Sequence, residues 1–473
     1  MRSAPGPSGS RTLYYLKLRK TDPVGFYTQL FSEYGEFVRV RLGPLSVFIS
    51  GSPDAARHIL MQRHRHYSKG AAAERFARVI GNGLITAEGA LWQRQRRLIR
   101  PAFTAERLAA FAETIARVTE GHVQQTMPGG RDFQKEVTAL TLRLVAESVL
   151  GSDLTSEVDR VMGAFTRILD HLEGMLLSPA RVLELLPDWP GLKGARRTLN
   201  HRGRLHQRGI DDAVAELDDV VRIVTTARRR SSEQQPDLVS VCLAGRDRQT
   251  GEGMSDKQIR DEVLTFLLAG HETTAVALMW TALELACRPQ VARNLKAELD
   301  SVLEGRTPTY SDLPRLTYTR AVVDESMRLH PPVWRISRKA LEDDEVCGYR
   351  VPRGSTVVIS PYLLHRNPAL WSDPECFRPE RFLGQDGESL SRPGYIPFGA
   401  GPRKCIGNHL ATIEGIVILA SYCQRFRFTV APGFTPELDA KLTLRIRGEV
   451  PIHLEDLHDS RCSRESERGT SGS

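Results

Sequence analysis

The chain has 473 residues, and its apolar and charged contents of 41% and 26% are typical of a folded globular protein and exclude a disordered or fibrous one. The formal net charge is +8, but no run of five or more like charges marks a nucleic-acid-binding tail, so we expect no nucleic-acid partner. The seven cysteines are widely spaced without a Cys-x-x-Cys pair, which argues against a disulfide framework or a zinc site and favours a reducing compartment.

The two ends of the chain are small and polar, unlike the residues between them. This composition predicts disorder at residues 1–12 and 458–473, and a single domain over residues 13–457. The N-terminal sequence lacks the apolar core of a signal peptide, and no stretch reaches the ~18 uninterrupted apolar residues of a membrane span. We therefore expect no transmembrane anchor and a cytoplasmic location.

Helical and alternating apolar patterns together predict a fold that is mainly α with small β-sheets. The helical patterns cover most of the chain, and the alternating ones are short. In chain order, the predicted elements are a helix at 23–35, a hairpin of 36–43 and 45–51 around Gly43 and Pro44, helices over 105–230, strands at 346–360 with a turn at 352–354, and a second hairpin at 442–454.

One predicted helix, over residues 255–287, is unusually long and apolar. Ser255 and Gln258 have the spacing of a capping box at its start, and Pro289 ends it. At 1.5 Å per residue this helix measures about 50 Å, long enough to cross a whole domain. Its apolar middle predicts that it is buried on most sides.

The middle of this helix contains the polar stretch AGHETT, residues 269–274. Gly270 costs a helix interior about 1 kcal/mol against alanine, and Glu272 brings a carboxylate into apolar surroundings. Thr273 can bond back to the carbonyl of Ala269 and bend the helix. Taken alone, the stretch is better explained by a satisfied buried threonine and a glycine for close packing.

Two further patterns combine cations with groups that they can bind. In ESMR, Glu325 and Arg328 share one helix face, and Arg381 in CFRPERF can reach the same carboxylate. Taken alone, an exposed helix pair worth only ~0.3 kcal/mol is the simpler explanation.

In LWQRQRRLIRP, Trp92 and Arg96 lie four apart on one face, and both can donate to an anion.

The stretch FGAGPRKCIG, residues 398–407, surrounds Cys405 with three glycines and two cations. The glycines let the backbone come close to a large flat ligand. Freed backbone N–H groups and the start of the following helix can stabilise a thiolate, and Arg403 can hold a carboxylate on the rim of the ligand. A redox-sensitive thiol is the open alternative from these residues alone.

Together these motifs resemble those of the cytochrome P450 monooxygenase family. FGAGPRKCIG is similar to its heme-binding loop, AGHETT to its oxygen-activating segment, ESMR and FRPERF to its Glu–Arg–Arg cluster, and WQRQR to its heme-contact helix. The motifs occur in the order of the family over about residues 13–457. The resemblance implies the cytochrome P450 fold, with a long central helix over a buried heme b. The matching positions of the loop are Phe398, Gly399, Gly401, Arg403, Cys405 and Gly407.

The resemblance also implies a role for each motif. Cys405 would be the thiolate ligand of the heme iron, which favours O–O cleavage. Glu272 and Thr273 would be the catalytic pair that delivers protons during oxygen activation. The remaining assignments are a structural cluster of Glu325, Arg328 and Arg381, propionate contacts by Trp92, Arg96, Arg338 and Arg403, and cofactor contacts by Phe398 and Gly407.

The implied reaction inserts one oxygen atom from O2 into a lipophilic substrate. Hydroxylation or epoxidation of a terpenoid is the first expectation, and hydroxylation of a fatty acid is the second. The substrate is expected to lie against Ala269 and Gly270. Val333 and Trp334, which follow a proline pair, are predicted to line the pocket, although core packing explains Trp334 equally well.

The chain has no room for a fused reductase, so electrons from NAD(P)H are expected to arrive through a separate ferredoxin reductase and ferredoxin. Arg94, Arg97 and Arg100 are predicted to contribute to a basic docking surface for an acidic ferredoxin. Two other functions stay open. A peroxide-using or isomerising heme-thiolate enzyme needs no acid–alcohol pair, so Glu272 and Thr273 argue against it. The other is a non-catalytic heme sensor.

Overall fold

Helices dominate the structure, and the strands are short. The computed structural model describes residues 2–42, 45–151, 155–177, 193–230, 237–384 and 393–458. Contacts divide the chain into two compact units. The single domain expected over residues 13–457 stays a prediction. The first unit comprises Met1–Ser68, Phe103–Leu144 and Gly270–Ser473, and the second comprises Lys69–Ala102 and Val145–Ala269.

The helices follow the predicted pattern, including the helix expected at 23–35. In chain order they are α1 (Ser10–Thr21), α2 (Pro23–Tyr34), α3 (Pro53–Arg57), α4 (Ala71–Ile80), α5 (Gly89–Ile99), α6 (Ala105–Gln125), α7 (Phe133–Leu144), α8 (Val158–Leu177), α9 (Lys193–Arg230), α10 (Leu238–Ala244), α11 (Asp256–Ala286), α12 (Pro289–Leu303), α13 (Thr317–Leu329), α14 (Pro361–Leu364) and α15 (Asn408–Arg425).

The described strands all lie in the first unit. They are β1 (Phe37–Leu42), β2 (Leu45–Ser50), β3 (Tyr67–Ser68), β4 (Gly129–Asp132), β5 (Ile336–Ala340), β6 (Asp344–Val346), β7 (Tyr349–Val351), β8 (Thr356–Ile359), β9 (Phe426–Val430), β10 (Leu438–Ala440), β11 (Leu444–Ile446) and β12 (Pro451–Asp456).

The main sheet has the strand order β1-β2-β8-β5-β3. The predicted hairpin of β1 and β2 is confirmed, although its turn residues Gly43 and Pro44 lie outside the described residues. Both faces of the sheet are covered. Along β8, Val357 and Ile359 enter one apolar cluster, while Val358 enters another, as the alternation of side chains along a strand requires.

The C-terminal strands correct one prediction. Residues 442–454 do not form a hairpin with each other, because β11 pairs with β10 and β12 pairs with β9 and β4. The chain leaves one sheet and enters another around Gly448, which has a φ of +78°. The alternating pattern was therefore correct for the strands but not for their partners.

The structure describes residues 2–12, in the segment for which the sequence predicts disorder. The Arg39 N–H of β1 donates to the Pro5 carbonyl oxygen at 2.8 Å, and the Arg350 N–H donates to the Arg2 carbonyl oxygen at 3.1 Å. An edge strand offers unpaired backbone groups, and this segment satisfies some of them. The disorder predicted for residues 458–473 falls outside the described residues except at His458.

The long helix predicted over residues 255–287 is α11. Its capping box is confirmed, since the Ser255 N–H donates to Gln258 Oε1 at 2.9 Å and the Gln258 N–H donates to Ser255 Oγ at 3.3 Å. Among the described residues it is the one helix long and apolar enough to cross a membrane, but 72% of its apolar window is buried inside the protein. The division between the two units falls within it, between Ala269 and Gly270.

Candidate functional site

The loop before helix α15 holds Cys405 in an exposed position. The Cys405 N–H donates to the Phe398 carbonyl oxygen at 3.0 Å, and the Lys404 N–H donates to the Gly401 carbonyl oxygen at 3.0 Å, so the loop closes on itself. Helix α15 begins three residues later, at Asn408. The positive potential at the start of a helix favours a thiolate over a thiol.

Glycines in this loop occupy positions that other residues do not fit. Gly399 and Gly401 have φ values of +71° and +70°, which glycine adopts without strain. A Cβ on Gly401 would lie only 2.0 Å from the Leu60 carbonyl oxygen. A Cβ on Gly407 would meet Phe103 at an ordinary 3.9 Å. Backbone packing therefore requires glycine at 401, whereas it leaves room for a methyl group at 407.

Two of the predicted anion-binding arginines lie beside the loop. Arg403 precedes Cys405 by two residues. Arg338 is on β5, whose Ile336 approaches Gly399, with 3.7 Å between the Ile336 Cδ1 and a Cβ built on the glycine. Residues two apart on a strand point to the same side, so Arg338 faces the same side as Ile336. Arg403 is thus part of the Cys405 loop, and Arg338 lies two residues from a side chain that approaches the loop.

Helix α11 has one accessible stripe in its otherwise buried middle. The spacing of its half-buried residues is 3, 1, 3 and 4, which places them on one helical face. Thr273 therefore lies on the same face as Ala269 and Gly270. The half-buried residues between 261 and 285 are Phe266, Ala269, Gly270, Thr273 and Ala277.

Glu272 is buried off this stripe and binds the hairpin of β10 and β11. Its Oε1 accepts from Thr443 Oγ1 at 2.8 Å and from Arg445 Nε at 2.5 Å. The Trp280 indole N–H donates to the Leu444 carbonyl oxygen at 2.8 Å and attaches the same hairpin to the same helix. The predicted proton-delivering acid thus has its charge balanced by a guanidinium, a partner that sequence reasoning missed.

Two other side chains outside α11 hold the same turn of the helix and were also missed. Thr141 Oγ1 on α7 donates to the His271 carbonyl oxygen at 3.0 Å, and Thr274 Oγ1 donates to Glu414 Oε2 on α15 at 3.0 Å. Burial raises the pKa of Glu414 to about 8, so this carboxyl is neutral at pH 7. The partners are 130 and 140 residues apart, so no local pattern could reveal them.

Glu325, Arg328 and Arg381 form a buried cluster. Arg328 donates to both carboxylate oxygens of Glu325, at 2.7 and 2.8 Å, and neither side chain has exposed surface. Arg381 Nε and the Arg378 N–H donate to the same carboxylate at 3.1 and 2.7 Å. An exposed helix pair, the simpler explanation from the sequence, is excluded by this burial.

His365 connects this cluster to the Cys405 loop, and sequence reasoning left it without a role. Its Nδ1 lies 3.1 Å from the Arg328 carbonyl oxygen, and its Nε2 accepts from the Ile396 N–H at 3.0 Å. The Ile396 carbonyl oxygen in turn accepts from the Gly399 N–H at 3.0 Å. Burial and the Arg328 charge lower the pKa of His365 to about 3, which keeps the ring neutral, with one donating and one accepting nitrogen.

Helix α5, in the second unit, carries Trp92 and Arg96 on one face, as their spacing predicts. The Arg96 guanidinium lies 5.7 Å from the centroid of the Trp92 ring. Arg94 donates to a backbone carbonyl at 2.6 Å and Arg97 to a carboxylate at 2.8 Å, both in the segment 247–253. Only 16% of the Arg94 side chain is exposed, so Arg94 is not part of an open docking surface.

Trp334 belongs to the core and does not line a pocket, which corrects its predicted role. It has no exposed surface, and its indole N–H donates to the Lys441 carbonyl oxygen at 2.9 Å. Its ring packs edge-on against Tyr27 of α2, with 5.1 Å between the centroids. The apolar cluster between α2 and the sheet covers this side chain completely. Val333 is 39% exposed and stays accessible.

Comparison with known proteins gives a match that covers almost the whole chain. The family model of cytochrome P450 matches residues 4–452.

The chain belongs to the cytochrome P450 family.

Individual relatives agree with this assignment. Cyclooctatin synthase of Streptomyces melanosporofaciens is 35% identical over 435 residues, which cover 91% of each chain. Cyclooctat-9-en-7-ol 5-monooxygenase of the same organism is 35% identical over 87% of this chain and 86% of its own length. Pentalenene oxygenase of Streptomyces avermitilis is 32% identical over 87% and 88%. The predicted family, fold class and enzyme class are confirmed.

As a cytochrome P450, the protein is a monooxygenase that uses a heme-thiolate iron, O2, redox partners and a lipophilic substrate. Its residues fit such a cofactor. Within the described ranges, no group of three or more His, Cys, Asp or Glu side chains that could hold a metal ion occurs. The exposed thiol, the side-chain-free backbone and the two arginines suit a flat ligand with anionic substituents.

Proposed function

We propose that this cytochrome P450 hydroxylates or epoxidises a terpenoid-like substrate, with a fatty acid as the second candidate. The observation that carries the proposal is the Cys405 loop, in which an exposed thiol lies in a closed glycine turn beside two arginines. Heme iron bound to a thiolate supplies the activation of dioxygen. The chain itself has to bind the cofactor, move protons and bind the substrate.

The cofactor in this proposal is heme b. Cys405 ligates the iron as a thiolate, favoured by the positive start of α15. Arg403 and Arg338 bind the propionates by charge-assisted hydrogen bonds, which are stronger than neutral ones. Trp92 and Arg96 are assigned to the propionates by the family resemblance.

Protons reach the site through Thr273 and Glu272 in this proposal. The Thr273 hydroxyl is on the accessible stripe of α11, and a hydroxyl can donate and accept at the same time. It can therefore orient a water molecule and pass a proton at its Oγ1. Glu272 precedes it on the helix and is ion-paired with Arg445, so we assign to it the supply of protons to Thr273.

The assigned substrate contacts are small and apolar. Ala269 and Gly270 lie on the accessible stripe of α11, and Val333 is exposed, so they favour a ligand without charged groups. Two relatives are named for cyclooctat-9-en-7-ol and pentalenene, which by their names are an alkenol and an alkene. These names support a cyclic terpenoid rather than a fatty acid.

The electron donor in this proposal is a ferredoxin, reduced by NAD(P)H through a ferredoxin reductase in the cytoplasm. Of the three arginines expected at the docking surface, Arg100 is exposed and the Arg97 side chain is 48% exposed. Lys404 is exposed directly beside Cys405. These cations suit an acidic partner, whose binding weakens as salt is added.

The first experiment tests the cofactor and its ligand. Purified protein, reduced with dithionite and exposed to carbon monoxide, should give the displaced Soret band typical of sulfur ligation, and Cys405→Ser should lose this band. Cys423→Ser is the matched control, because this thiol is buried on α15, and it should keep the band. A colourless protein that hemin does not restore would disprove the proposal.

The second experiment identifies the substrate and excludes the alternatives. Pentalenene, a panel of other terpenes and a panel of fatty acids are screened for a blue shift of the Soret band and then for oxygenated product with NADPH, a plant-type ferredoxin and its reductase. A Soret shift without NADPH consumption or product would favour a sensor. Product formation from hydrogen peroxide alone, at a rate unaffected by Thr273→Ala, would favour a peroxide-using enzyme.

A further inference from the structure

The turn of α11 that contains Thr273 is held by side-chain contacts with three other elements of the first unit. Thr141 on α7 bonds the carbonyl of His271. The hairpin of β10 and β11 binds Glu272. Thr274 bonds Glu414 on α15. Glu272 and Thr274 flank the threonine on the accessible stripe, one residue on either side.

The Thr274 hydroxyl does not bond a carbonyl of its own helix, as many helical threonines do. A helical threonine usually bonds the carbonyl four residues back, and Thr265, Thr281 and Thr412 do so at 2.7, 2.7 and 2.9 Å. Thr274 instead donates across the core to Glu414 at 3.0 Å. Its hydroxyl therefore joins two helices.

Burying the Glu414 side chain costs free energy, and packing alone does not explain why a glutamate stands here. It is 2% exposed, and its Oε1 has no hydrogen-bond partner among the described residues. An apolar residue of similar size would avoid the cost of burying this polar group, which is about 1–3 kcal/mol. Burial raises its pKa to about 8, so as a neutral acid it avoids the larger cost of a buried charge.

Because Thr273 and Thr274 are adjacent in one helix, a contact that orients Thr274 also orients Thr273. Successive residues of an α-helix are rotated by about 100°, so the direction of Thr274 towards α15 sets the direction of Thr273 towards the accessible stripe. Gly270, one turn earlier, gives this part of the helix extra backbone freedom. A hydrogen bond to a residue outside the helix can therefore set the orientation of this turn. Glu414 is on the helix that starts three residues after Cys405.

We propose that Glu414 is a positioning residue, which by accepting the Thr274 hydroxyl fixes the direction of the Thr273 hydroxyl relative to the cofactor. The inference rests on the proposed function, because it assigns Thr273 to proton transfer. It adds a partner on the cysteine-side helix that is required for that transfer.

The test uses the heme-loaded enzyme and needs no substrate. The infrared C–O stretching band of the ferrous carbon monoxide complex responds to hydrogen-bond donors near the ligand. Glu414→Leu and Thr274→Val should shift or broaden this band in the same direction as Thr273→Ala. They should also increase, at least threefold, the hydrogen peroxide released per NADPH consumed when NADPH, a plant-type ferredoxin and its reductase reduce the enzyme in air. Glu414→Gln keeps the acceptor and should resemble the wild type.

Thr281→Val is the matched control, because this buried threonine of α11 bonds only within its own helix. If Glu414→Leu does not fold, Thr274→Val tests the same contact from the other side. The inference is overturned if Thr274→Val keeps the wild-type band and peroxide yield while Thr273→Ala changes them. A wild-type protein without the band of sulfur ligation would instead disprove the proposed function itself.

Discussion

Replacing Glu325 with glutamine is the sharpest test of the buried cluster. Among the described residues, its carboxylate accepts two N–H bonds from Arg328 and one each from the Arg378 backbone and the Arg381 side chain. Glutamine keeps the size of the side chain but turns one oxygen into an NH2 group. At least one donor then faces another donor, and the two buried guanidinium groups lose their counter-charge.

The structure sets the expected magnitude. The side chains of Glu325 and Arg328 are 0% exposed and that of Arg381 is 3% exposed, so solvent cannot replace the lost interactions. A lost bond to a buried charged group costs about 1.5–3 kcal/mol, and removing one partner of a buried ion pair costs about 3–5 kcal/mol. The two costs describe partly the same lost interactions, so they are not added. We expect E325Q to lower the free energy of unfolding by about 3–5 kcal/mol, a large part of the ~5–15 kcal/mol of a typical domain.

The assay is urea unfolding of the heme-loaded enzyme, followed by circular dichroism and tryptophan fluorescence. Trp371 lies 5.2 Å from the Arg328 guanidinium, so its emission reports on the cluster. The control is D300N, because Asp300 pairs with Lys296 at 2.6 Å on the surface of α12, where such a pair is worth about 0.3–0.5 kcal/mol. If E325Q costs no more than D300N, the reasoning about burial is wrong.

Three further changes test other contacts. Gly401→Ala brings a Cβ to 2.0 Å from the Leu60 carbonyl oxygen at a φ of +70°, and we expect urea unfolding to report a loss of about 2–5 kcal/mol. The pKa of His365 is about 3 in the folded protein against an ordinary 6.5, so the unfolded chain binds the proton first. Its contribution to stability is complete above pH 6.5 and falls by about 1.4 kcal/mol per unit as the pH drops from 6 to 4, and His365→Asn should remove this slope from denaturation curves. Arg445→Met leaves the buried Glu272 carboxylate without its cation, so stability should drop by about 1–3 kcal/mol at pH 7.

Each of these changes has a control. Gly407→Ala adds a methyl group that meets only Phe103 at 3.9 Å, so an equal loss at both glycines would contradict the argument from close approach. A pH slope that H365N leaves unchanged would mean that another group titrates. For Arg445→Met, adding Glu272→Gln should restore most of the stability, and failure to do so would assign the loss to packing of the long side chain.

Much of the fold and part of the site follow from local patterns in the sequence. The capping box of Ser255 and Gln258 located the start of the central helix to within one residue, because its two hydrogen bonds depend only on residues three apart. The three-residue spacing of Glu325 and Arg328 likewise put both side chains on one face of α13. The glycines around Cys405 indicated a close backbone approach, and at Gly401 the carbonyl of Leu60 provides it.

Contacts between distant segments could not be predicted in this way. Arg445 binds Glu272 across 173 residues, and Glu414 binds Thr274 across 140. No periodicity relates such residues, since the topology alone brings them together. The role of His365 depends on the carbonyl of Arg328 and the N–H of Ile396. Every residue carries these backbone groups, so the sequence cannot show which of them a side chain will bind.

Two wrong predictions have the same origin. From its place after a proline pair, Trp334 could equally line a pocket or fill the core. The packing of α2 against the sheet places it in the core, and the sequence does not show this packing. Residues 442–454 alternate as two strands should, but alternation does not specify which strand is the partner. In both cases the sequence indicated the local conformation and left the neighbour undetermined.

The N-terminal segment has a practical consequence for anyone who shortens the chain. Pro5 accepts from the Arg39 N–H on the outer edge of the main sheet, and Ala4 is 8% exposed. Trimming these residues for crystallisation would leave β1 as a bare edge strand, a template on which a second molecule can pair. Versions that lack these residues should therefore aggregate more readily than the full chain when they are concentrated.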